Sequence, residues 1–208
     1  MIRNFIPSRE LDQCSPEESS REKRHDEHTK TMFGVIAFLL SESLIFASLI
    51  VAYVALRLFS DPWLPPGVKG PELSTSVIFS SIILISSSLP AQLAEGAVKR
   101  KKLNRFRLLW LITSLMGAYF LVSEMKEWHK LDFDVSTGQI GGAFYILTGF
   151  HGLHVTAGIL LQMFMLVRSF IPGNYNRGYT GVSAVTLFWH VVDGIWVILF
   201  SILYLWSA

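Results

Sequence analysis

Cysteine is almost missing from this 208-residue chain, with Cys14 the one example. That excludes an internal disulfide framework and any cysteine-rich metal cluster. Charge is scarce too: Asp, Glu, Lys and Arg make up 16% of residues, where soluble domains carry about a quarter. No G-x-S-x-G elbow presents a serine nucleophile, and no glycine-rich loop offers a cradle for phosphate. The net charge of +2 is too small to attract nucleic acid. What is abundant is apolar surface, at 51% hydrophobic residues with 15 Phe and 6 Trp. That composition excludes a disordered chain and argues against an ordinary soluble enzyme.

The charges that do occur are grouped. Residues 1–31 hold six Lys/Arg and seven Asp/Glu without a continuous apolar run, so they read as a polar, partly disordered tail. His25 and His28 stand there at metal-like spacing but lack a third ligand. Five apolar runs follow, at about residues 32–58, 76–98, 108–128, 140–168 and 183–206. Crossing about 30 Å of hydrocarbon takes about 20 helical residues, so each run can span a membrane once. In lipid the backbone must satisfy its own hydrogen bonds, which leaves helix as the state of every span. The second span is diluted by serines, and Pro90 is predicted to kink it. Lys and Arg split 14 to 4 between the two faces, placing the N-terminus in the cytoplasm and the C-terminus across the membrane. The expected fold is therefore an all-α, multi-pass integral membrane protein with five transmembrane helices.

Ionisable residues inside a span are costly and face the bundle interior, a partner or water. At about 1.5 Å per residue, Glu42 and Asp193 lie about mid-membrane, with His151, His154 and His190 near the same level. Glu124 belongs near the far interface, and Glu95 near the cytoplasmic one. His151 and His154 are three residues apart, as are His190 and Asp193, so each pair shares a helix face. The aspartate can hold the His190 imidazole in one tautomer, and Trp189 and Trp196 flank that pair. Gly141, Gly142, Gly149, Gly152 and Gly158 on the fourth span let a neighbour approach its backbone. Three uses of this slab remain open on chemistry alone. They are interhelical hydrogen bonding, a proton or lipid-headgroup role for Glu42, and a haem held between His154 and His190.

Two of these stretches carry a resemblance. L-T-G-F-H-G-L-H-V from Leu147 to Val155, and F-W-H-V-V-D-G-I-W from Phe188 to Trp196, resemble the signatures of subunit III of haem–copper oxidases. L-L-S-E-S-L-I-F in the first span is similar to the family segment that carries an intramembrane carboxylate, which falls on Glu42. The loops at Trp63–Val68 and Phe170–Tyr175 resemble the cyanobacterial cytochrome c oxidase branch, in the short five-helix form. Gly194, Val191 and Glu124 depart from the family pattern.

The resemblance implies two bundles, spans 1-2 and spans 3-5, around a lipid-filled V-shaped cleft. It implies a non-catalytic subunit of a proton-translocating cytochrome c oxidase that holds no metal or other cofactor itself and supports proton uptake. Haems and copper would sit in subunit I, the dinuclear copper in subunit II, and phospholipids against this chain. A soluble donor such as cytochrome c would deliver the electrons, and the bacterial plasma membrane or thylakoid would house the complex. A quinol oxidase subunit III is the alternative within the family. Outside it stand a free ion conductor and a haem b anchor. Glu42 is the implied lipid- or proton-related carboxylate. His151, His154, His190, Asp193, Trp189, Trp196 and Glu124 are its intramembrane polar support.

Overall fold

The computed structural model describes residues 16–206 except 61, 62, 64–66, 68, 69, 174, 176 and 177, with the backbone alone over 16–28. His25 and His28 therefore lie outside the described side chains, and residues 1–15 outside the description altogether. Six helices carry the fold: α1 (Pro16–Phe59), α2 (Thr75–Ser86), α3 (Ser88–Lys99), α4 (Leu103–Trp128), α5 (Gly138–Arg168) and α6 (Thr180–Phe200). A π-helical turn, Ser201–Leu205, continues α6. Taken as spans, α2 and α3 are one, so five helical segments are long and apolar enough to cross a membrane. The first of these is Thr29–Phe59, the apolar part of a helix that already begins at Pro16.

The second span is interrupted at Ser87, three residues before Pro90. Proline has no N–H to donate to the carbonyl of Ser86 and its ring crowds that carbonyl, so the ladder shifts there. The Ser87 N–H is shared between the carbonyls of Ile83 and Leu84, both at 3.0 Å. At the start of α5, the Asp134 carboxylate accepts hydrogen bonds from the Ser136 hydroxyl at 2.6 Å and the Thr137 hydroxyl at 2.9 Å. These bonds, with the Ser136 N–H, hold Asp134 below the usual carboxylate range. A Cβ on Gly141 would run into the Asp134 carbonyl, so this turn requires glycine in the first turn of the helix.

Side-chain clasps fix which helix ends lie together. At one end, Arg107 donates to the Ser169 hydroxyl at 2.9 Å and stacks 4.2 Å above Phe170, joining the start of α4 to the end of α5. Ser183 of α6 donates to Glu95 of α3 at 2.7 Å at the same end. At the other end, Arg57 donates to the Trp206 carbonyl at 2.8 Å and covers the Trp206 ring at 4.7 Å. Ser74 meets Glu127 there at 3.2 Å. The spans thus run alternately up and down, and the basic 99–107 turn shares its end of the bundle with the start of the first span.

Spans 1-2 and 3-5 do not form two separate bundles. α1 packs on α5 and α6, while α2 and α3 pack on α4 and α6. The cause lies in their inward faces. Leu39, Phe46 and Tyr53, seven residues apart, form a single buried stripe on α1, while Phe33, Leu44 and Val51 are each at least 67% exposed. That stripe meets α5, whereas the serine face of the second span is occupied by Trp189 and Trp196 of α6. The fifth span therefore has the first on one side and the second on another.

Candidate functional site

Glu42 sits between Leu39 and Phe46 on the inward stripe of α1, three and four residues from them, so helical periodicity turns it toward α5. Its Oε2 lies 3.1 Å from His154 Nε2. His154 Nδ1 is 2.8 Å from the Phe150 carbonyl one turn earlier on the same helix. A carbonyl only accepts, so Nδ1 carries a hydrogen. Nε2 and Oε2 hydrogen-bond when one proton lies between them, on the carboxyl group or on the imidazole, and with that proton the pair is neutral overall. The rings of Phe46 and Phe150 flank the imidazole with centroids at 5.0 and 5.1 Å, which keeps competing water from most of it.

The second group lies where the second span meets α6. Ser81 and Ser87 donate their hydroxyl hydrogens back to Val77 and Leu84 carbonyls and accept the indole N–H of Trp196 and Trp189, at 3.0 and 2.9 Å. The two helices run antiparallel, so numbers fall on one as they rise on the other. Ser88 comes next and touches both Asp193 and His190, the latter at 3.2 Å through Nδ1. His190 Nε2 meets the Gln92 side-chain oxygen at 3.0 Å. The predicted direct support of His190 by Asp193 is therefore replaced by a relay through Ser88. Serine is short enough to let the helices close up, and its one hydroxyl reaches both groups.

His151 and Trp196 stand between the two groups. Their rings stack at 4.8 Å, and Phe120 packs its edge on both. Neither nitrogen of the fully buried His151 has a hydrogen-bond partner among the described residues. The haem pairing of His154 with His190 is not built: His154 turns to α1 and His190 to α3, and all four of their ring nitrogens are engaged. Among the described residues, no three His, Cys, Asp or Glu converge as a metal-ligand set.

Glu124 stays apart from this centre. It is buried near the end of α4 with its Oε1 unpartnered among the described residues, beside Glu127, which carries Lys130 at 3.5 Å. Glu95 lies at the opposite, basic end and pairs with Lys99 at 2.7 Å.

Ser81, Ser87, Ser88 and Gln92 join the site, although the sequence marks the serines only as a dilution of the second span. The available signal was register. Trp189 and Trp196 are seven apart, and the serines that accept their indole N–H groups, Ser87 and Ser81, are six apart, so both pairs recur after about two turns of antiparallel helices. The glycines divide unevenly. A Cβ on Gly158 would stand 2.8 Å from the Trp189 ring and one on Gly117 of α4 would stand 2.6 Å from it, so these two form the slot for that indole. Gly142, Gly149 and Gly152 have room for a methyl group, and Gly194 has nothing within 4 Å.

The chain matches the family described as "Cytochrome c oxidase subunit III" over residues 17–208. It is 40% identical to cytochrome c oxidase subunit 3 of Thermostichus vulcanus, covering 87% of this chain and 90% of that protein. Against cytochrome c oxidase subunit 3 of Synechocystis sp. it is 42% identical, over 84% of this chain and 75% of that protein. The chimpanzee (Pan troglodytes) subunit 3 is 28% identical, over 85% of this chain and 69% of its own length.

Proposed function

Because the chain belongs to the cytochrome c oxidase subunit III family, we propose that it is a non-redox accessory subunit of a proton-pumping cytochrome c oxidase. In that complex subunit I holds the haems and one copper, and subunit II the dinuclear copper that receives electrons from a soluble donor. This chain stabilises the assembly, holds phospholipid against its outward faces and supports proton uptake into subunit I. Its N-terminus lies in the cytoplasm and its C-terminus on the opposite face, in a bacterial plasma membrane or thylakoid. The names of the relatives favour the cytochrome c type over a quinol oxidase.

The observation that carries the reading is the pairing of Glu42 with His154. A carboxyl group inside the hydrocarbon layer is expensive unless it is paired or protonated. Here the two side chains hold one exchangeable proton in a contact that is neutral overall, 3.1 Å across. A pair of this kind keeps its proton without placing a net charge in the membrane, and a proton it gives up must be replaced from elsewhere to restore neutrality. The other polar groups support it by fixing the helices: His151 through Trp196, and His190 with Asp193 through Ser88.

Glu42→Gln is the discriminating variant. The Gln amide can still donate to His154 Nε2, so the contact survives while its exchangeable proton is lost. In the assembled oxidase we expect unchanged haem spectra and initial oxygen consumption, but faster loss of activity during sustained turnover and fewer protons moved per electron. Wild-type values for both readouts in a normally assembled complex would overturn the role of Glu42.

A further inference from the structure

The 99–107 turn holds six cations, and they are not equivalent. Lys99 is committed to Glu95 at 2.7 Å, and Arg107 to the hydroxyl and carbonyl of Ser169 at 2.9 and 2.5 Å. Arg100, Lys102 and Arg105 are exposed, make no ion pair among the described residues, and together border a cavity of about 130 Å³. Lys101 does not border it; it occupies the apex of the turn, at a φ of 58°.

Part of the cavity wall is apolar. Leu93 and Gly96 of α3 form part of it, with Gln92 beside them. No atom stands within 4 Å of where a Gly96 Cβ would be, so the helix surface is uncovered at that point. Leu89, Leu93 and Gly96 follow one another at four- and three-residue steps, which puts them on one face leading from the interior of the span toward Arg100. Leu89 is 67% exposed and Leu93 47% exposed, so this stripe has no protein cover within the chain.

From this juxtaposition we propose that Arg100, Lys102 and Arg105 bind the phosphate of an anionic phospholipid whose acyl chain lies along Leu89, Leu93 and Gly96. Free phosphate would use the cations alone and leave the stripe unexplained. A zwitterionic lipid would bring a second, positive group among three cations. Basic pockets at the cytoplasmic ends of spans select anionic head groups for the same electrostatic reason. The site rests on and deepens the reading of the chain as a lipid-holding subunit.

The test is native mass spectrometry of the intact oxidase complex, with phosphatidylglycerol, phosphatidylcholine or inorganic phosphate added to the delipidated sample. We expect the wild-type complex to take up phosphatidylglycerol in preference to phosphatidylcholine and to retain it in the presence of inorganic phosphate. The triple variant Arg100→Gln, Lys102→Gln, Arg105→Gln is expected to weaken that binding by at least about tenfold, and Lys101→Gln to leave it unchanged. Equal uptake of both lipids, or displacement by inorganic phosphate, overturns the site in the wild-type complex alone, so the result does not depend on the variant assembling. Loss of binding with Lys101→Gln would likewise overturn it by reducing the effect to overall charge. A complex that assembles and turns over normally yet shows no lipid preference removes this site and leaves the accessory role standing.

Discussion

The two polar contacts of the bundle solve the same problem with different side chains. Between α1 and α5, a long glutamate reaches a histidine directly, and the helix that carries it is buried along only one narrow stripe. Between the second span and α6, three serines lie against two tryptophans, a histidine and an aspartate, and the helices are close enough that Ser88 alone links His190 and Asp193. In the first contact little but the proton-sharing pair and its aromatic flank joins the helices. In the second, the polar bonds are embedded in close packing. We infer that the first region can change protonation without repacking the bundle, while the second holds the spans in place.

Perturbing the slot around Trp189 should have the largest effect. Its indole fills the space left by Gly117 and Gly158 and donates to Ser87, so Trp189→Ala creates a cavity and removes a buried hydrogen bond at once. A cost of about 3–5 kcal/mol is expected, read as a lower unfolding temperature of the detergent-solubilised complex. Gly158→Ala overfills the same slot and should cost about 1–3 kcal/mol in the same assay. If both variants melt like the wild type, the second contact is not the rigid one.

At the α1–α5 contact the expectation is smaller and graded. Glu42→Ala leaves His154 Nε2 facing a gap between aromatic rings, at a cost of about 1–3 kcal/mol. Glu42→Gln, which keeps a donor for that nitrogen, should recover most of the loss while still impairing sustained turnover. A Gln variant as unstable as the Ala variant would make this contact structural, like the other.

Positions outside both contacts set the baseline. Gly194→Ala meets open space on an outward helix face and should stabilise by up to about 1 kcal/mol through helix propensity. The smallest expected effect lies at Asp134, an exposed side chain ahead of α5. The Ser136 and Thr137 hydroxyls lower its pKa, so the folded state gains from its ionised form above the ordinary aspartate value. That gain disappears as pH falls through the lowered value, and a pH series of melting curves should lose part of its acid slope in Asp134→Ala.

Much of this was legible in the chain. Apolar runs give five spans because hydrocarbon thickness sets their length, and Pro90 marks the interruption at Ser87. Glu42, His154, His190 and Asp193 stand out because ionisable side chains within apolar runs are rare and costly. Which of them meet was not legible. Contacts between spans depend on the rotation of each helix, and the hydrophobicity of a membrane helix is too uniform around its circumference to reveal it. The serine relay was not legible for a related reason: a serine hydroxyl bonds to its own helix, and only the rotation of the neighbouring helix decides whether it also meets a partner. The division into spans 1-2 and 3-5 failed because it came from resemblance, while the position of α6 between the first and second spans follows from where Trp189 and Trp196 point.

In the proposed function this chain serves an oxidase without carrying a redox centre itself. The most direct test is to isolate the tagged chain from its native membrane in mild detergent and record reduced-minus-oxidised spectra, metal content and oxygen consumption, alongside the chain expressed alone. The expected result is a haem- and copper-bearing complex that reduces oxygen, and a colourless chain when alone. A bis-histidine haem spectrum from the isolated chain, or a native preparation free of haem and copper partners, would contradict it.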